Sequence, residues 1–356
     1  MTPLDDLLHH MKAYDASDLY LKSGVPPVLR VAGRLVPAGE SPLSDETILR
    51  LAEEMMAERH RAEFAARQRA DVAYTSPTLG RFRANVYVQR GSPAVVIRRV
   101  RSQIPSFDEL CLPSVVAELA LAPRGLVLVT GQTGAGKSTT LAAMIAHRSR
   151  QRPGHIVTIE DPIEFVHADA ASLVSQREIG TDCESYSLAL RDALRQAPDV
   201  ILIGEIRDEE SATAAVHFAE TGHLVLSTLH STNASQTLER LLHFFPPTAH
   251  AGVALQLSLN LIGLISQRLL PLADGPGQIV AVEVMLSTPR IRELLRATDL
   301  AGIRTVMQSP AGIQEGMQTF DYAIYQLIRQ GKVEVEAAMS AADSPNDLRL
   351  RLKGLR

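Results

Sequence analysis

The chain has 356 residues, of which 46% are hydrophobic and 21% are charged, and its formal net charge is −4 at pH 7. This length is enough for two domains with separate cores, and the composition is that of an ordinary globular protein. A slightly acidic chain gives no sign of the basic face that nucleic acid requires, so we expect no nucleic-acid partner.

Other global features narrow the class of protein further. The two cysteines, Cys111 and Cys183, are too few and too far apart for a disulfide framework or a zinc ribbon. The first residues lack the pattern of a signal peptide, and the longest apolar stretch, 255–270, is interrupted by polar side chains. We therefore expect a cytoplasmic protein that reaches a membrane only through a partner.

Residues 1–100 are predicted to form a small α+β domain. Apolar residues with helical spacing predict a first helix from Leu4 to Met11, and Ser44 is a suitable N-cap for a helix that would run to about Arg67. Alternating apolar residues predict strands at 19–21, 28–31, 35–36, 81–88 and 94–98. Prolines between Ile104 and Pro113 indicate a linker, which we place at 101–114.

From 115 to 285 strand and helix patterns alternate, as in a parallel sheet with crossover helices. The predicted strands are 126–130, 155–159, 200–203 and 223–228. Residues 286–356 are predicted to be a helical C-terminal extension. The overall expectation is an α/β protein.

A glycine-rich loop follows the strand at 126–130. Its sequence matches the phosphate-binding loop pattern, and the apolar segment after it reads as a helix. Such a loop directs backbone N–H groups and a helix N-terminus at a phosphate. The predicted nucleotide-binding residues are Gly131, Gln132, Thr133, Gly134, Ala135, Gly136, Lys137, Ser138 and Thr139. We therefore predict that the chain binds ATP, with Lys137 on the β/γ-phosphates and Ser138 on Mg²⁺.

Carboxylates lie at the ends of two predicted strands, where ligands bind in open α/β sheets. Glu205 follows the strand 200–203 and is predicted to hold Mg²⁺ directly or through water; the alternative is a solvated carboxylate. Of the three acids after 155–159, Glu164 is favoured as the base that polarises the attacking water. Glu160 and Asp161 remain open between that role and hydrogen bonding within the loop and to Mg²⁺-bound water.

Two further residue types are candidates for the chemistry. His223 and His230 bracket the strand 223–228, and His230 is the candidate sensor of the γ-phosphate; neither completes a metal-ligand set. Arginines of the first domain could stabilise charge on the γ-phosphate if that domain closes over the second. The alternative for each of them is an ordinary solvated arginine. The arginines considered are Arg81, Arg83, Arg98, Arg99, Arg195 and Arg207.

Four segments in order resemble the Walker A, Asp box, Walker B and His box of the secretion-type hexameric ATPases. They are 131–138, 159–164, 198–208 and 220–230. The resemblance implies a PAS-like N-terminal domain, a RecA-like P-loop domain and a six-membered ring with ATP between domains. It also implies that Glu205 is the Walker B acid and Glu164 the catalytic glutamate, and that Arg83 and Arg98 reach the nucleotide.

Within this family, the short N-terminal region is similar to the retraction ATPases of type IV pili. The segment 194–199 and the C-terminal tail are closer to the accessory, PilU-like group than to the principal, PilT-like motors. The resemblance implies a homo-hexamer that works with the principal retraction ATPase and an inner-membrane platform protein during twitching motility. An alternative stays open: a nucleotide-dependent accessory ring with weak ATPase activity of its own.

Overall fold

The computed structural model describes residues 3–275 and 277–354. The described chain forms two compact units. One ends at Gln103 and also includes Glu164–Val166, and the other begins at Ile104 and includes the remaining residues.

The first unit is built on a six-stranded antiparallel sheet. Its strands are β1 (Asp18–Lys22), β2 (Val28–Val31), β3 (Arg34–Pro37), β4 (Arg69–Ser76), β5 (Gly80–Gln89) and β6 (Ser92–Arg99). They lie in the order β3-β2-β1-β6-β5-β4. The helices are α1 (Pro3–Ala13), α2 (Asp45–Met55) and α3 (Glu58–Arg67). Alternate strand residues such as Leu19, Phe82 and Ile97 are buried in one core with Leu8 and Leu51 of the helices.

The predicted single helix from Ser44 to about Arg67 is wrong, because the segment forms α2 and α3. Ser44 does cap α2 by accepting a hydrogen bond from Thr47 N. The chain then leaves the helix at Met56, which is extended and 5% exposed, so the break buries an apolar side chain. At the start of α3, His60 Nδ1 accepts a hydrogen bond from Ala57 N at 3.2 Å. Strand β4 was not predicted, although its Ala70 and Val72 alternate with polar residues and are buried.

The second unit contains a seven-stranded sheet in the order β13-β12-β7-β11-β10-β8-β9. Its strands are β7 (Gly125–Gly131), β8 (Gly154–Glu160), β9 (Ser172–Glu178), β10 (Val200–Ile203), β11 (Leu224–Leu229), β12 (Leu261–Pro271) and β13 (Gln278–Leu286). The six strands from β12 to β9 pair in parallel, and β13 pairs antiparallel with β12. The four predicted strands are confirmed as β7, β8, β10 and β11.

Helices cover both faces of this sheet and account for most of the chain after β13. Before β13 they are α4 (Val115–Ala120), α5 (Lys137–Gln151), α6 (Tyr186–Ala193), α7 (Glu209–Glu220), α8 (Ala234–His243) and α9 (His250–Asn260). After β13 they are α10 (Pro289–Arg296), α11 (Leu300–Gln308), α12 (Pro310–Gln314), α13 (Phe320–Arg329), α14 (Val335–Ala341) and α15 (Pro345–Leu352). The last three pack on the β12–β13 hairpin through Leu270 and Ile279. The prediction of a helical C-terminal part is confirmed.

The apolar stretch 255–270 is divided between two elements, since α9 ends at Asn260 and β12 begins at Leu261. Within the described residues, no helix has both the length and the apolar character that crossing a bilayer requires. The sequence pattern could not reveal β12 as a strand, because its residues are buried on both faces and so do not alternate.

Candidate functional site

The glycine-rich loop joins the end of β7 to the start of α5 in the way that its sequence predicts. Gly134 and Gly136 have φ angles of 82° and 88°, which a side chain would strain. At Gly131 a Cβ would lie 2.6 Å from the carbonyl oxygen of Gln267 on the adjacent strand. The loop therefore needs glycine for its turn and for its packing on β12.

Lys137 is the first residue of α5, and its side chain folds back over the loop. Its Nζ donates hydrogen bonds to the carbonyl oxygens of Gly131 at 3.0 Å and Gln132 at 3.1 Å. The residue is 8% exposed. The first turn of a helix leaves backbone N–H groups without intrahelical partners, so this loop combines such donors with an ammonium group. The combination suits the oxygens of a phosphate chain.

His230 follows β11 directly and lies between Lys137 and Glu205. Its Nδ1 is 3.5 Å from Lys137 Nζ, and its Nε2 is 3.2 Å from Glu205 Oε1. Burial and the nearby Lys137 ammonium lower the pKa of His230, and the Glu205 carboxylate only partly offsets them. A neutral ring that carries its proton on Nε2 satisfies both neighbours, because Nδ1 then accepts from Lys137 and Nε2–H donates to Glu205.

Glu205, two residues beyond the end of β10, is held on its other oxygen by Arg207. Arg207 Nε donates to Glu205 Oε2 at 3.0 Å, and Arg207 Nη1 donates to Asp161 Oδ2 at 3.1 Å. The hydrogen bonds and charges of the Glu205 and Asp161 carboxylates raise the pKa of Arg207 above its ordinary value. Asp161 follows the end of β8, so this arginine connects the ends of two adjacent strands.

Tyr186 at the start of α6 fixes the backbone beneath Glu205. Its hydroxyl donates to the carbonyl oxygen of Ile159 at 3.2 Å and accepts from Glu205 N at 3.3 Å. Burial raises the pKa of Tyr186 to about 12, so the hydroxyl keeps its proton. A Cβ on Gly204 would lie 2.9 Å from this hydroxyl oxygen, which accounts for the glycine before Glu205.

Four adjacent parallel strands thus bring the phosphate loop, His230, Glu205 and Asp161 to one edge of the sheet. Ser138 and Glu205 are the residues here that could hold Mg²⁺. Across the part of the chain that the structure describes, no group of three or more His, Cys, Asp or Glu could hold a metal ion by itself. In nucleotide sites Mg²⁺ is commonly held by one or two carboxylates together with water and oxygens of the bound phosphates.

Two other residues considered in the sequence, His223 and Glu160, are engaged in local contacts. His223 precedes β11, at the opposite end of the strand from His230, and its Nδ1 contacts Phe218 O at 3.0 Å. Glu160 Oε1 accepts from Thr158 Oγ1 at 2.7 Å and from Gln176 Nε2 at 3.0 Å. Glu160 is thus used in local hydrogen bonding, one of the two alternatives that the sequence left open.

Glu164, Arg83 and Arg98 belong to the first unit. Glu164 is exposed, and the residue after it forms a β-bridge with Arg101. Arg83 and Arg98 are directly opposite on β5 and β6 and therefore lie on one face of that sheet. Arg98 Nε donates to Asp18 Oδ1 at 2.8 Å, and Asp18 is only 3% exposed. The roles predicted for these three residues remain predictions.

Sequence reasoning missed two residues that shape the site, Tyr186 and Gln267. Gln267 lies opposite Gly131 on β12 and donates from Nε2 to Thr140 Oγ1 at 2.8 Å, in the first turns of α5. A polar residue inside the apolar run of β12 was the only available signal for Gln267. For Tyr186 the sequence offered none, because its partners are backbone groups on β8 and just after β10, both distant in sequence.

Comparison with known proteins agrees with this geometry. A family model described as Type II/IV secretion system protein matches residues 80–350. The chain therefore belongs to that family.

Within the family, the chain is 45% identical to the Type IV pilus ATPase PilU of Pseudomonas aeruginosa, over 98% of this chain and 91% of that protein. It is 40% identical to the type IV pilus retraction ATPase PilT of the same organism, over 97% of this chain and 99% of that protein. A crystal structure of the pilus retraction motor PilT with bound ADP superposes with a TM-score of 0.91 at 40% identity, covering 98% of this chain and 99% of that one. The resemblance to retraction ATPases and the predicted fold class, an N-terminal domain followed by a RecA-like P-loop domain, are both confirmed.

Proposed function

We propose that this chain is a magnesium-dependent ATPase that powers the retraction of type IV pili. One observation carries the proposal: the Lys137 ammonium, the His230 ring and the Glu205 carboxylate form a continuous series of contacts beside the glycine loop. Similarity to PilU and PilT over nearly the whole chain supports the link to pilus retraction.

The residues of the site have distinct parts in this proposal. The loop from Gly131 to Thr139 binds the phosphates of ATP, and Lys137 neutralises charge on the β/γ oxygens. Mg²⁺ supplies further positive charge and is held by Ser138 and Glu205. The neutral His230 ring lies between Lys137 and Glu205 and responds to a γ-phosphate by exchanging one of these hydrogen bonds.

Residues of the first unit complete the site in the proposal. Glu164 polarises the attacking water, and Arg83 and Arg98 stabilise the charge that develops on the γ-phosphate. Closure of the first unit on bound ATP would deliver them, and release after hydrolysis would convert the chemistry into domain motion. The proposed domains are a PAS-like domain at 1–100, a linker at 101–114, a RecA-like ATPase domain at 115–285 and a helical extension at 286–356.

The assembly that fits this function is a homo-hexamer at the cytoplasmic face of the inner membrane. It would act with the principal retraction ATPase on the membrane platform protein of the pilus, without nucleic acid. A second candidate is an accessory ring with weak ATPase activity of its own, docked on the principal motor. The higher identity to PilU, 45%, than to PilT, 40%, favours keeping this candidate.

The test is steady-state ATP hydrolysis by the purified full-length chain with Mg²⁺, followed by pilus retraction in cells. We expect Lys137→Ala and Glu205→Ala to lower turnover by at least about a hundredfold. The first removes the charge that neutralises the phosphate oxygens, and the second removes a proposed ligand of the Mg²⁺ that would also neutralise them. Glu164→Gln should still bind ATP but hydrolyse it slowly. Exposed Lys22→Ala and Glu46→Ala are matched controls that should keep wild-type turnover.

Two outcomes would decide between the candidates. Strong turnover of the chain alone, together with retraction that is lost in the Lys137→Ala strain, supports the motor. Weak turnover that rises only when the principal ATPase is added supports the accessory ring. Turnover and pilus retraction that are the same in wild type, Lys137→Ala and Glu205→Ala would rule out the motor.

A further inference from the structure

The segment that follows β11 and carries His230 is held by hydrogen bonds of both its side chains and its backbone. On the side-chain part, Ser231 Oγ lies 2.6 Å from Thr237 Oγ1, and Asn233 Oδ1 accepts from Gln236 N at 2.9 Å. Between His230 and the start of α8 lie residues 231–233. The carbonyl oxygen of Thr232 accepts a hydrogen bond from Arg268 Nη2 at 3.2 Å. Ala234 N, the first backbone donor of α8, bonds to Glu283 Oε1 at 2.6 Å. Side chains of β12 and β13 therefore contribute to the position of this segment, together with its own contacts to α8.

Arg268 on β12 is held in one orientation on several sides. Its guanidinium stacks on the ring of Phe320, with Cζ 3.9 Å from the ring centroid. It donates from Nη1 to Ala341 O and from Nη2 to Asp343 Oδ1, both at 2.6 Å. Its side chain is 22% exposed and that of Asp343 is 12% exposed, so water screens this pair weakly. The planar fork of an arginine can satisfy all these acceptors together, whereas a single ammonium cannot.

Asp343 is itself positioned by the C-terminal extension. Its backbone N donates to Asp321 Oδ1 of α13 at 2.8 Å, and its Oδ2 is 3.4 Å from Arg304 Nη2 of α11. Helices that follow β13 therefore determine where the Asp343 carboxylate lies. Through Arg268, that carboxylate determines where the carbonyl of Thr232 lies, two residues from His230.

We propose that Arg268 is a positioning residue for His230 and that Asp343 locks it, so that the C-terminal extension sets the turnover of the nucleotide site. This proposal rests on the ATPase function proposed above. The His230 ring spans two partners at 3.2 and 3.5 Å, so a small displacement of its backbone breaks at least one contact. Displacements of about 1 Å in an active site can lower turnover by up to about a hundredfold.

The experiment compares four full-length proteins with wild type: Asp343→Asn, Arg268→Lys, His230→Ala and the double variant Asp343→Asn/His230→Ala. Asparagine keeps the volume of Asp343 but removes the charge that orients Arg268. We expect Asp343→Asn and Arg268→Lys each to lower kcat about tenfold and to change KM less than twofold. If Asp343 acts through His230, the double variant should have the same kcat as His230→Ala alone.

Arg290→Ala is the matched control, because Arg290 forms an exposed ion pair with Glu293 in the same C-terminal region. It should leave kcat unchanged. Thermal unfolding of each protein identifies a variant that merely fails to fold. If Asp343→Asn fails to fold, the kcat of Arg268→Lys is compared with that of the double variant Arg268→Lys/His230→Ala instead. The proposal is overturned if the decreases in kcat caused by Asp343→Asn and His230→Ala multiply in the double variant. It is also overturned if Asp343→Asn has the kcat of wild type. Lys137→Ala is measured in the same assay. Loss of its turnover shows that the ATPase assignment holds, so that a negative result for Asp343→Asn counts only against the positioning proposal.

Discussion

Glu283→Gln should stabilise the protein at alkaline pH, because Glu283 is a buried carboxyl at the base of the β11–α8 segment. The residue is 5% exposed, and burial raises its pKa from 4.5 to about 7. The Ala234 N–H, Arg268 and Arg304 oppose this rise, and the Asp343 carboxylate adds to it. The folded state therefore binds the proton more tightly than the unfolded state does. Stability falls as the pH rises from about 4.5 to about 7 and stays reduced above that.

The difference between these pKa values corresponds to roughly 3 kcal/mol of lost stability at pH 8, and to less than about 1 kcal/mol at pH 5. Glutamine resembles the protonated acid, since it keeps an acceptor for Ala234 N–H and also carries a donor. We expect Glu283→Gln to raise Tm by about 5–10 °C at pH 8 and by much less at pH 5.

Thermal unfolding of the full-length chain at pH 5, 6, 7 and 8 measures this effect. The control is Glu336→Gln, which changes an exposed carboxyl on α14 and should leave the pH dependence unaltered. A Glu283→Gln protein that is less stable than wild type at pH 8, or that differs from it equally at every pH, would refute the reasoning.

Two further predictions concern nucleotide affinity and the first unit. Gly131→Ala should weaken the binding of a fluorescent ADP analogue by at least about tenfold. The Cβ of the alanine would lie 2.6 Å from the Gln267 carbonyl oxygen and must displace the loop. Unchanged affinity would contradict this prediction and show that the loop adapts. Arg98→Ala should lower the stability of the protein by about 1 kcal/mol, because buried Asp18 loses the Arg98 hydrogen bond and keeps its contacts with Ser17 and Arg30, whereas Arg83→Ala should not. Lower turnover of Arg98→Ala with unchanged unfolding would instead indicate a direct action at the nucleotide.

The sequence predicted the elements of the site whose chemistry is local. Gly131 to Ser138 carry their own turn and helix start, so a short pattern is sufficient to identify them. Glu205 and His230 were predictable because each ends an apolar strand, and the carboxyl ends of parallel strands meet at one edge.

Features that depend on contacts distant in sequence were not predictable in the same way. Tyr186 reaches backbone groups of Ile159 on β8 and of Glu205 just after β10, and no local pattern encodes that pairing. The break between α2 and α3 places Met56 in the core of the first unit, and this tertiary gain overrides the helical pattern of the segment. Arg98 looked like a free cation in the sequence because its partner, Asp18, lies on β1, eighty residues earlier.

The position of His230 explains how structural changes in distant parts of the second unit could alter the candidate nucleotide site. A neutral imidazole has one donor and one acceptor, and here both are used, toward Glu205 and Lys137. A phosphate oxygen that accepts a hydrogen bond from Lys137 would compete with His230 Nδ1 for the ammonium. On the other side, Arg268 holds the backbone at Thr232. Chemistry at the loop and packing of the C-terminal helices therefore act on the same small group. A change at either end should therefore be felt at the other, and the sign of that coupling is reciprocal for binding equilibria.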